Sequence, residues 1–217
     1  MRFDVVSDVV CPWCVIGLRA LEQALERIGP AVTATIYLQP FELNPGMAAA
    51  GETIAEHVAR KYGSTPEQSA ASRSAMREQA RALGFDMRTG TDSRIWNSFD
   101  AHRLLYWAGR QGRQSAVQHA LFAAHFTHNR PLNDPTVLAE AAAKAGLDRE
   151  EALAMLAGGD FADEVRALER HWRDEGVSAV PTIVVDGRYA ITGAHPPDTL
   201  ERAIRRIAAE PLQSASE

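Results

Sequence analysis

Strand-like segments lie at the two ends of this 217-residue chain, and a long helical block separates them. The first end shows a strand pattern over residues 2–6, a helix with one apolar face over residues 14–28, and strict alternation over residues 32–39. At the other end, two β-branched runs flank Asp186-Gly187, which predicts a tight hairpin before a helix over residues 197–209. A sheet built from these segments must join residues that are far apart in the chain.

The block between the two ends, from about residue 52 to about residue 174, is rich in Ala, Glu, Arg, Gln and Leu and lacks β-branched runs. Its first helix is predicted to begin at the capping-box pattern Thr53 to Glu56 and to end near Gly63. Further helices are predicted over residues 66–83, 93–111, 113–129, 135–145, 148–157 and 160–175. The Ala- and Arg-rich helix over residues 66–82 is interpreted as solvent-exposed.

The order of the segments predicts an α/β fold with one mixed sheet, because a parallel crossover forms the first half and an antiparallel hairpin the second. Residues 1–48 and 175–217 are predicted to form the sheet-containing domain, and residues 49–174 an inserted all-helical domain. The last seven residues, PLQSASE, are expected to be frayed.

Charge and composition exclude several classes of partner. The formal net charge is −5, and Lys and Arg are scattered with at most two adjacent, so the sequence indicates no basic stripe for a nucleic acid. No apolar run approaches the ~20 residues that cross a bilayer, and MRFDVVSDVV lacks the pattern of a signal peptide. We therefore expect a cytoplasmic protein without a membrane partner, in a compartment where purely structural disulfides are rare.

Two cysteines, Cys11 and Cys14, lie three residues apart in DVVCPWCVIG, directly after the first strand. A structural zinc site would need two more ligands, and no other cysteine or histidine pair has the required spacing. Inert core thiols are a second interpretation, since a free Cys packs like a small hydrophobe. The third interpretation is a dithiol redox centre, which uses every feature of the stretch.

In the redox interpretation, Cys11 precedes the helix body, where unpaired backbone N–H groups and the helix dipole stabilise a thiolate. Cys14 lies one turn further on and can attack a mixed disulfide on Cys11, which makes it the resolving thiol. Pro12 suits the first helical turn, since the N–H group that it lacks would have no partner there. Trp13 offers an apolar surface near the nucleophile, with simple packing as its alternative role.

Several motifs resemble the DsbA-like branch of the thioredoxin superfamily, specifically the FrnE-type oxidoreductases. They are CPWC after the first strand, PFELNP after the second, the long helical insertion, and GVSAVPTIVVDGRYAITGAH near the end. The resemblance implies a thioredoxin-like mixed sheet with a large inserted all-helical domain. It also implies that Pro181 is a cis-proline facing the dithiol, with the Val180 backbone turned toward an extended substrate. The alternative is a trans proline that opens an edge strand.

The sequence also departs from its relatives. DsbA-type enzymes commonly carry His where this chain has Trp13, so we expect a milder oxidant, within the range of roughly −270 to −120 mV that such proteins span. Ser-Gly-Ala-Gln of FrnE-type sequences is replaced by residues 192–195, Thr-Gly-Ala-His. The related glutathione-dependent 2-hydroxychromene-2-carboxylate isomerases and kappa-class transferases usually have Ser at the position of Cys11 and no resolving Cys. The presence of Cys14 therefore favours dithiol exchange over isomerisation.

Two further stretches supply candidates for a substrate groove beside the dithiol. Phe41 and Asn44 lie in PFELNP, which is otherwise a plain Asn-Pro turn. Asn97 and His102 lie in SRIWNSFDAHRLLYWAG, where the competing interpretation is the polar face of an amphipathic helix.

Together these features predict an enzyme, a thiol–disulfide oxidoreductase that acts on protein or small-molecule thiols without a metal or organic cofactor. Cys11 and Cys14 are its predicted catalytic residues, and Pro12, Trp13, Val180 and Pro181 its predicted substrate-binding residues. Glutathione or thioredoxin is the expected electron partner. Two alternatives stay open: a glutathione-dependent isomerase or transferase, and a non-enzymatic holdase or interaction module.

Overall fold

A computed structural model of the chain describes residues 1–90 and 92–210, so the predicted fraying of PLQSASE lies outside the described residues. The strands are β1 (Arg2–Ser7), β2 (Thr35–Pro40), β3 (Glu52–Thr53), β4 (Arg94–Ile95), β5 (Thr182–Val185) and β6 (Tyr189–Thr192). The helices are α1 (Pro12–Ile28), α2 (Ile54–Tyr62), α3 (Pro66–Ala82), α4 (Phe99–Gly109), α5 (Gln114–Phe122), α6 (Pro135–Lys144), α7 (Arg149–Gly158), α8 (Ala162–Asp174) and α9 (Pro197–Ala209).

The main sheet has the strand order β2-β1-β5-β6 and is mixed, as the sequence predicts. Strand β1 pairs in parallel with β2 and antiparallel with β5, so it is one of the two inner strands of the sheet. The hairpin between β5 and β6 turns at Asp186 and Gly187, which both have a positive φ, 51° and 65°. The Arg188 N–H donates to the Val185 carbonyl at 3.0 Å, so Asp186 and Gly187 are the central residues of a tight turn that needs positive φ at both positions. Because Val185 pairs with Tyr189, Arg188 is an additional loop residue between this turn and β6.

The two faces of the sheet are covered by helices from different parts of the chain. Phe3 and Val5 of β1 are buried in a cluster with α1 and α9, whereas Val6 points to a cluster with Trp172 of α8. This alternation is the period of a strand that is buried on both faces. The mixed sheet with helices on its faces that the thioredoxin-like resemblance implies is therefore confirmed.

The helical block follows the predicted pattern with two corrections. The capping box from Thr53 to Glu56 is present and begins α2. The helix predicted over residues 93–111 begins only at Phe99, because Arg94 and Ile95 pair with β3 in a two-residue ribbon and the Asn97 side chain accepts the Phe99 N–H. The helix predicted over 113–129 is α-helical to Phe122 and continues as a π-helical turn, Ala123–Thr127.

Part of the helical block packs against the sheet and α1. Ala80 at the end of α3 and Phe122 and Phe126 near the π-helical turn belong to the same buried cluster as α1 and the sheet, whereas α4 to α7 enclose a second cluster. The division into domains at residues 48/49 and 174/175 stays a prediction. Within the described residues, the structure contains no helix whose length and apolarity would let it traverse a bilayer.

Gly17 lets α1 approach the loop before β5 closely. A methyl group added at Gly17 would lie 2.7 Å from Pro181 Cγ, a distance that requires one of the two elements to shift. We expect Gly17→Ala to lower the free energy of unfolding by about 1–3 kcal/mol, although Ala is the better helix former. Urea unfolding measures the effect.

The matched control is Gly158→Ala at the end of α7, where the added carbon would meet Asp160 at an ordinary contact distance of 3.5 Å. This control should be neutral or slightly stabilising. A Gly17→Ala protein as stable as the wild type would contradict the packing account.

Candidate active site

Cys11 and Cys14 lie at the start of α1, directly beyond the carboxyl end of β1. Cys11 is the N-cap residue and Pro12 follows in the first turn, so the helix begins at the predicted position. The Cys11 N–H donates to the Asp8 carbonyl at 3.1 Å, and the Cys14 N–H donates to the Cys11 carbonyl at the same distance. Both thiols are free. The turn therefore places two thiols at one helix N-terminus, where backbone N–H groups favour an anion.

The two thiols have different surroundings. Cys11 Sγ lies 3.9 Å from the Val180 carbonyl oxygen, and the Val180–Pro181 peptide bond is cis, as the resemblance implies. Cys14 is fully buried, and its sulfur accepts the Asp8 N–H at 3.5 Å. Burial, followed by the neighbouring Cys11 thiol, raises the pKa of Cys14 well above its usual range. Cys14 thus holds its proton at neutral pH.

A cavity of about 420 Å³ opens beside Cys11. Cys11, Pro12, Trp13 and Asn44 line it together with side chains of α2 and α3. Trp13 is 38% exposed, so its side chain is not explained by core packing. Val180 and Pro181 do not line this cavity and lie by the Cys11 sulfur outside it. Cys11 therefore borders both the cavity and the Val180 backbone.

Three of the four groove candidates lie away from the cavity. Phe41 is buried against Trp172 and Val177. Asn97 accepts the Phe99 N–H, and its Nδ2 lies 3.5 Å from Glu42 Oε1. These contacts are structural, because they join the loops after β2 and β4 to the helices above them.

The third candidate away from the cavity, His102, is buried in α4 beside Asp8, a residue that the sequence analysis did not single out. Its Nε2 lies 3.5 Å from Asp8 Oδ1, an ion-pair distance without hydrogen-bond geometry. Asp8 accepts the Val10 N–H at 3.3 Å and the Leu43 N–H at 2.8 Å, which ties together the loops after β1 and β2. An Asp three residues before Cys11 in an otherwise apolar stretch was the available signal.

A second group of buried charges adjoins this pair. Glu42 and Glu169 both accept hydrogen bonds from Arg166, which also lies over the Phe99 ring. Burial and the neighbouring Glu169 raise the pKa of Glu42, against the opposing effect of Arg166. Burial by itself lowers the pKa of His102, but Asp8, Glu169 and Glu42 together raise it above its usual value. The acidic groups around His102 therefore favour its protonated form.

The histidines of the cavity wall are neutral at pH 7. Burial lowers the pKa of His125 to about 4, and burial also lowers the pKa of His57 although Glu52 opposes it.

Across residues 1–90 and 92–210, no three His, Cys, Asp or Glu side chains come together as a metal site. His119 instead lies 2.7 Å from Glu22 Oε1 on the side of α1.

The raised pKa of His102 predicts how its contribution to stability depends on pH. The contribution is complete below the unfolded-state pKa of about 6.5 and is lost as the pH rises through the higher folded-state pKa. We expect the difference in unfolding free energy between wild type and His102→Gln to decrease from about pH 5.5 to about pH 8.5. Urea titrations at several pH values measure it, with His171→Gln at an exposed position of α8 as the control. A difference that grows with pH would contradict the ion-pair account.

Comparison with known proteins places this geometry in a family. A family model described as "DSBA-like thioredoxin domain" matches residues 2–205. The structure matches a "probable DsbA oxidoreductase" from Streptomyces coelicolor, with 35% sequence identity, a TM-score of 0.93, and coverage of 100% of this chain and 94% of the other.

Two more distant structures share the fold. A 2-hydroxychromene-2-carboxylate isomerase is 17% identical, with a TM-score of 0.69 over 95% of this chain and 96% of that chain. The cytosolic disulfide reductase DsbM from Pseudomonas aeruginosa, solved with glutathione, is 15% identical, with a TM-score of 0.63 over 95% and 98% of the two chains. The family model covers nearly the whole chain and includes both cysteines and the Val180–Pro181 bond. This chain therefore belongs to the DsbA-like thioredoxin domain family.

Proposed function

We propose that the chain is a thiol–disulfide oxidoreductase with Cys11 and Cys14 as its dithiol–disulfide centre. The proposal rests on one observation, the difference between the surroundings of the two thiols. Cys11 lies at the helix N-terminus, retains 4% exposure and lines the cavity, whereas Cys14 lies one turn further on with no exposed surface, does not line the cavity and has a raised pKa. A nucleophile must be reached by substrate and ionise readily, whereas a resolving thiol stays protonated until the mixed disulfide forms.

The chemistry in the reducing direction has two exchange steps. The Cys11 thiolate attacks one sulfur of the substrate disulfide, that S–S bond breaks, and one substrate thiolate leaves. Cys14 then gives up its proton and attacks the Cys11 sulfur, which releases the second thiolate and forms the Cys11–Cys14 disulfide. Two electrons pass from the enzyme dithiol to the substrate. In the oxidising direction, a substrate thiolate attacks Cys11 of the disulfide form, and the second substrate thiol resolves the mixed disulfide.

The surroundings of Cys11 support both protein and small-molecule substrates. The Val180 carbonyl beside the Cys11 sulfur is available to an extended peptide that pairs as an added strand, with Trp13 and Pro12 as the adjoining surface. The cavity supports a small thiol. We further propose a FrnE-type enzyme of the cytoplasm with glutathione or thioredoxin as electron partner; the cytosolic DsbM structure with glutathione supports this choice.

A glutathione-dependent isomerase or transferase is the second candidate, favoured by the cavity beside Cys11. In such an enzyme the bound glutathione supplies the reacting thiol, and a resolving cysteine has no role in the reaction. Cys14 is therefore the residue that separates the two functions.

Single cysteine substitutions test the proposal. Cys11→Ser should abolish disulfide exchange, because the attacking sulfur is lost. Cys14→Ser should accumulate a mixed disulfide between Cys11 and the substrate, with turnover reduced by about a hundredfold or more, because release then depends on a second molecule of thiol. Mass spectrometry detects the adduct, and reduction of a small disulfide measures turnover.

Cys14→Ala, which also removes the resolving sulfur but adds no hydroxyl at this fully buried position, is the companion variant and should accumulate the same adduct. If Cys14→Ser kept wild-type turnover without an adduct, the dithiol mechanism would be wrong and the glutathione-dependent function would take its place.

A further inference from the structure

The cavity beside Cys11 carries positive charge without a matching carboxylate. Its walls are mainly apolar, from Val10, Leu43, Ile54, Val58, Met76, Met87, Ile95 and Phe126. The charged side chains that line it are Lys61 and Arg73, and within the described residues neither Asp nor Glu lines it. Lys61 and Arg73 therefore give this wall a positive charge.

Arg73 is the unusual residue of this wall. It is only 8% exposed, although it lies in α3, a helix with a mostly solvated surface. Its guanidinium donates to the Ser69 hydroxyl, and in the described part of the chain it forms no ion pair. A buried charge without a counter-charge is costly, and a guanidinium has five donors that match a carboxylate in geometry. Arg73 is thus prepared for an anion that enters the cavity.

Lys61 lines the same cavity. Its Nζ donates to the Leu43 carbonyl at 3.1 Å and to Asn44 Oδ1 at 2.8 Å, which are both neutral acceptors. The ammonium group is therefore held in place by the loop after β2 and keeps its charge available to a ligand. Lys61 and Arg73 together favour an anion along the path to Cys11.

We propose that this cavity binds a low-molecular-weight disulfide or thiol that carries a carboxylate, with the carboxylate at Arg73 and the sulfur at Cys11. The proposal rests on the proposed function and names its substrate class. A volume of about 420 Å³ is in the range of small-molecule sites, and the apolar walls accommodate the carbon chain between the two groups. The exchange is the reducing reaction described above: the enzyme dithiol loses two electrons, and the disulfide is cleaved to two thiols.

A series of matched disulfides tests the charge preference. Dithiodipropionate is anionic, hydroxyethyl disulfide is neutral and cystamine is cationic, and all three are short aliphatic disulfides. The rate of oxidation of the reduced protein by each is divided by the rate for dithiothreitol with the same disulfide, which removes differences in intrinsic reactivity. We expect the order anionic, neutral, cationic for the wild type.

Substitutions at Arg73 test whether this residue causes the preference for the anionic disulfide. Arg73→Gln should lose about tenfold or more in rate on dithiodipropionate relative to hydroxyethyl disulfide, and Arg73→Lys should recover part of it. Arg81→Gln, at an exposed position of the same helix, is the matched control and should keep the wild-type order. Lys61→Gln should reduce the preference in the same direction.

Each outcome decides a specific point. If the wild type prefers the neutral or cationic disulfide, or if Arg73→Gln lowers all three rates equally, the carboxylate site is wrong while the oxidoreductase function stands. If Arg73→Gln does not fold, the order of the wild-type rates on the three disulfides decides by itself whether the cavity prefers a carboxylate. If none of the three disulfides oxidises the Cys11–Cys14 pair, the proposed function and the substrate class both fail.

Discussion

The start of α1 is the constraint on which the rest of the structure depends. The central strand β1 delivers the chain to this point, and the Asp8 carboxylate fixes the turn by accepting N–H groups from Val10 and Leu43. The close approach of Gly17 to Pro181 then brings the Val180 carbonyl to the Cys11 sulfur. The dithiol is thus held by contacts between segments that are distant in sequence. A site held by a rigid framework keeps its reacting atoms in a fixed geometry.

The helical block supplies the walls of the cavity beside Cys11 and the His102 side chain beside Asp8. Cys11 and Trp13 at the start of α1 line this cavity together with side chains of this block. Helices α2 and α3 line it from the block, while α4 places His102 behind the Asp8 turn. The inserted block therefore shapes access to Cys11 from one side and its electrostatic support from the other. A difference in this block between relatives should change substrate choice without changing the dithiol chemistry.

Local patterns were sufficient to predict most elements of this fold. The Asp186-Gly187 hairpin and the capping box at Thr53 depend on a few neighbouring residues, so the sequence predicts them directly. The cis bond before Pro181 followed from the resemblance. Features set by distant contacts were missed: the Arg94–Ile95 strand forms only by pairing with β3, and Arg73 is 8% exposed in a helix whose sequence predicts exposure to solvent. A helical pattern that appears solvated cannot show which partner covers one of its turns.

The central claim is that Cys11 and Cys14 form a reversible redox couple. The most direct measurement is the equilibrium of the purified protein in a series of glutathione redox buffers, with free thiols alkylated and counted by mass spectrometry. The account predicts one reversible two-electron transition between a dithiol and an intramolecular Cys11–Cys14 disulfide. A protein that forms no intramolecular disulfide at any ratio of reduced to oxidised glutathione would contradict it.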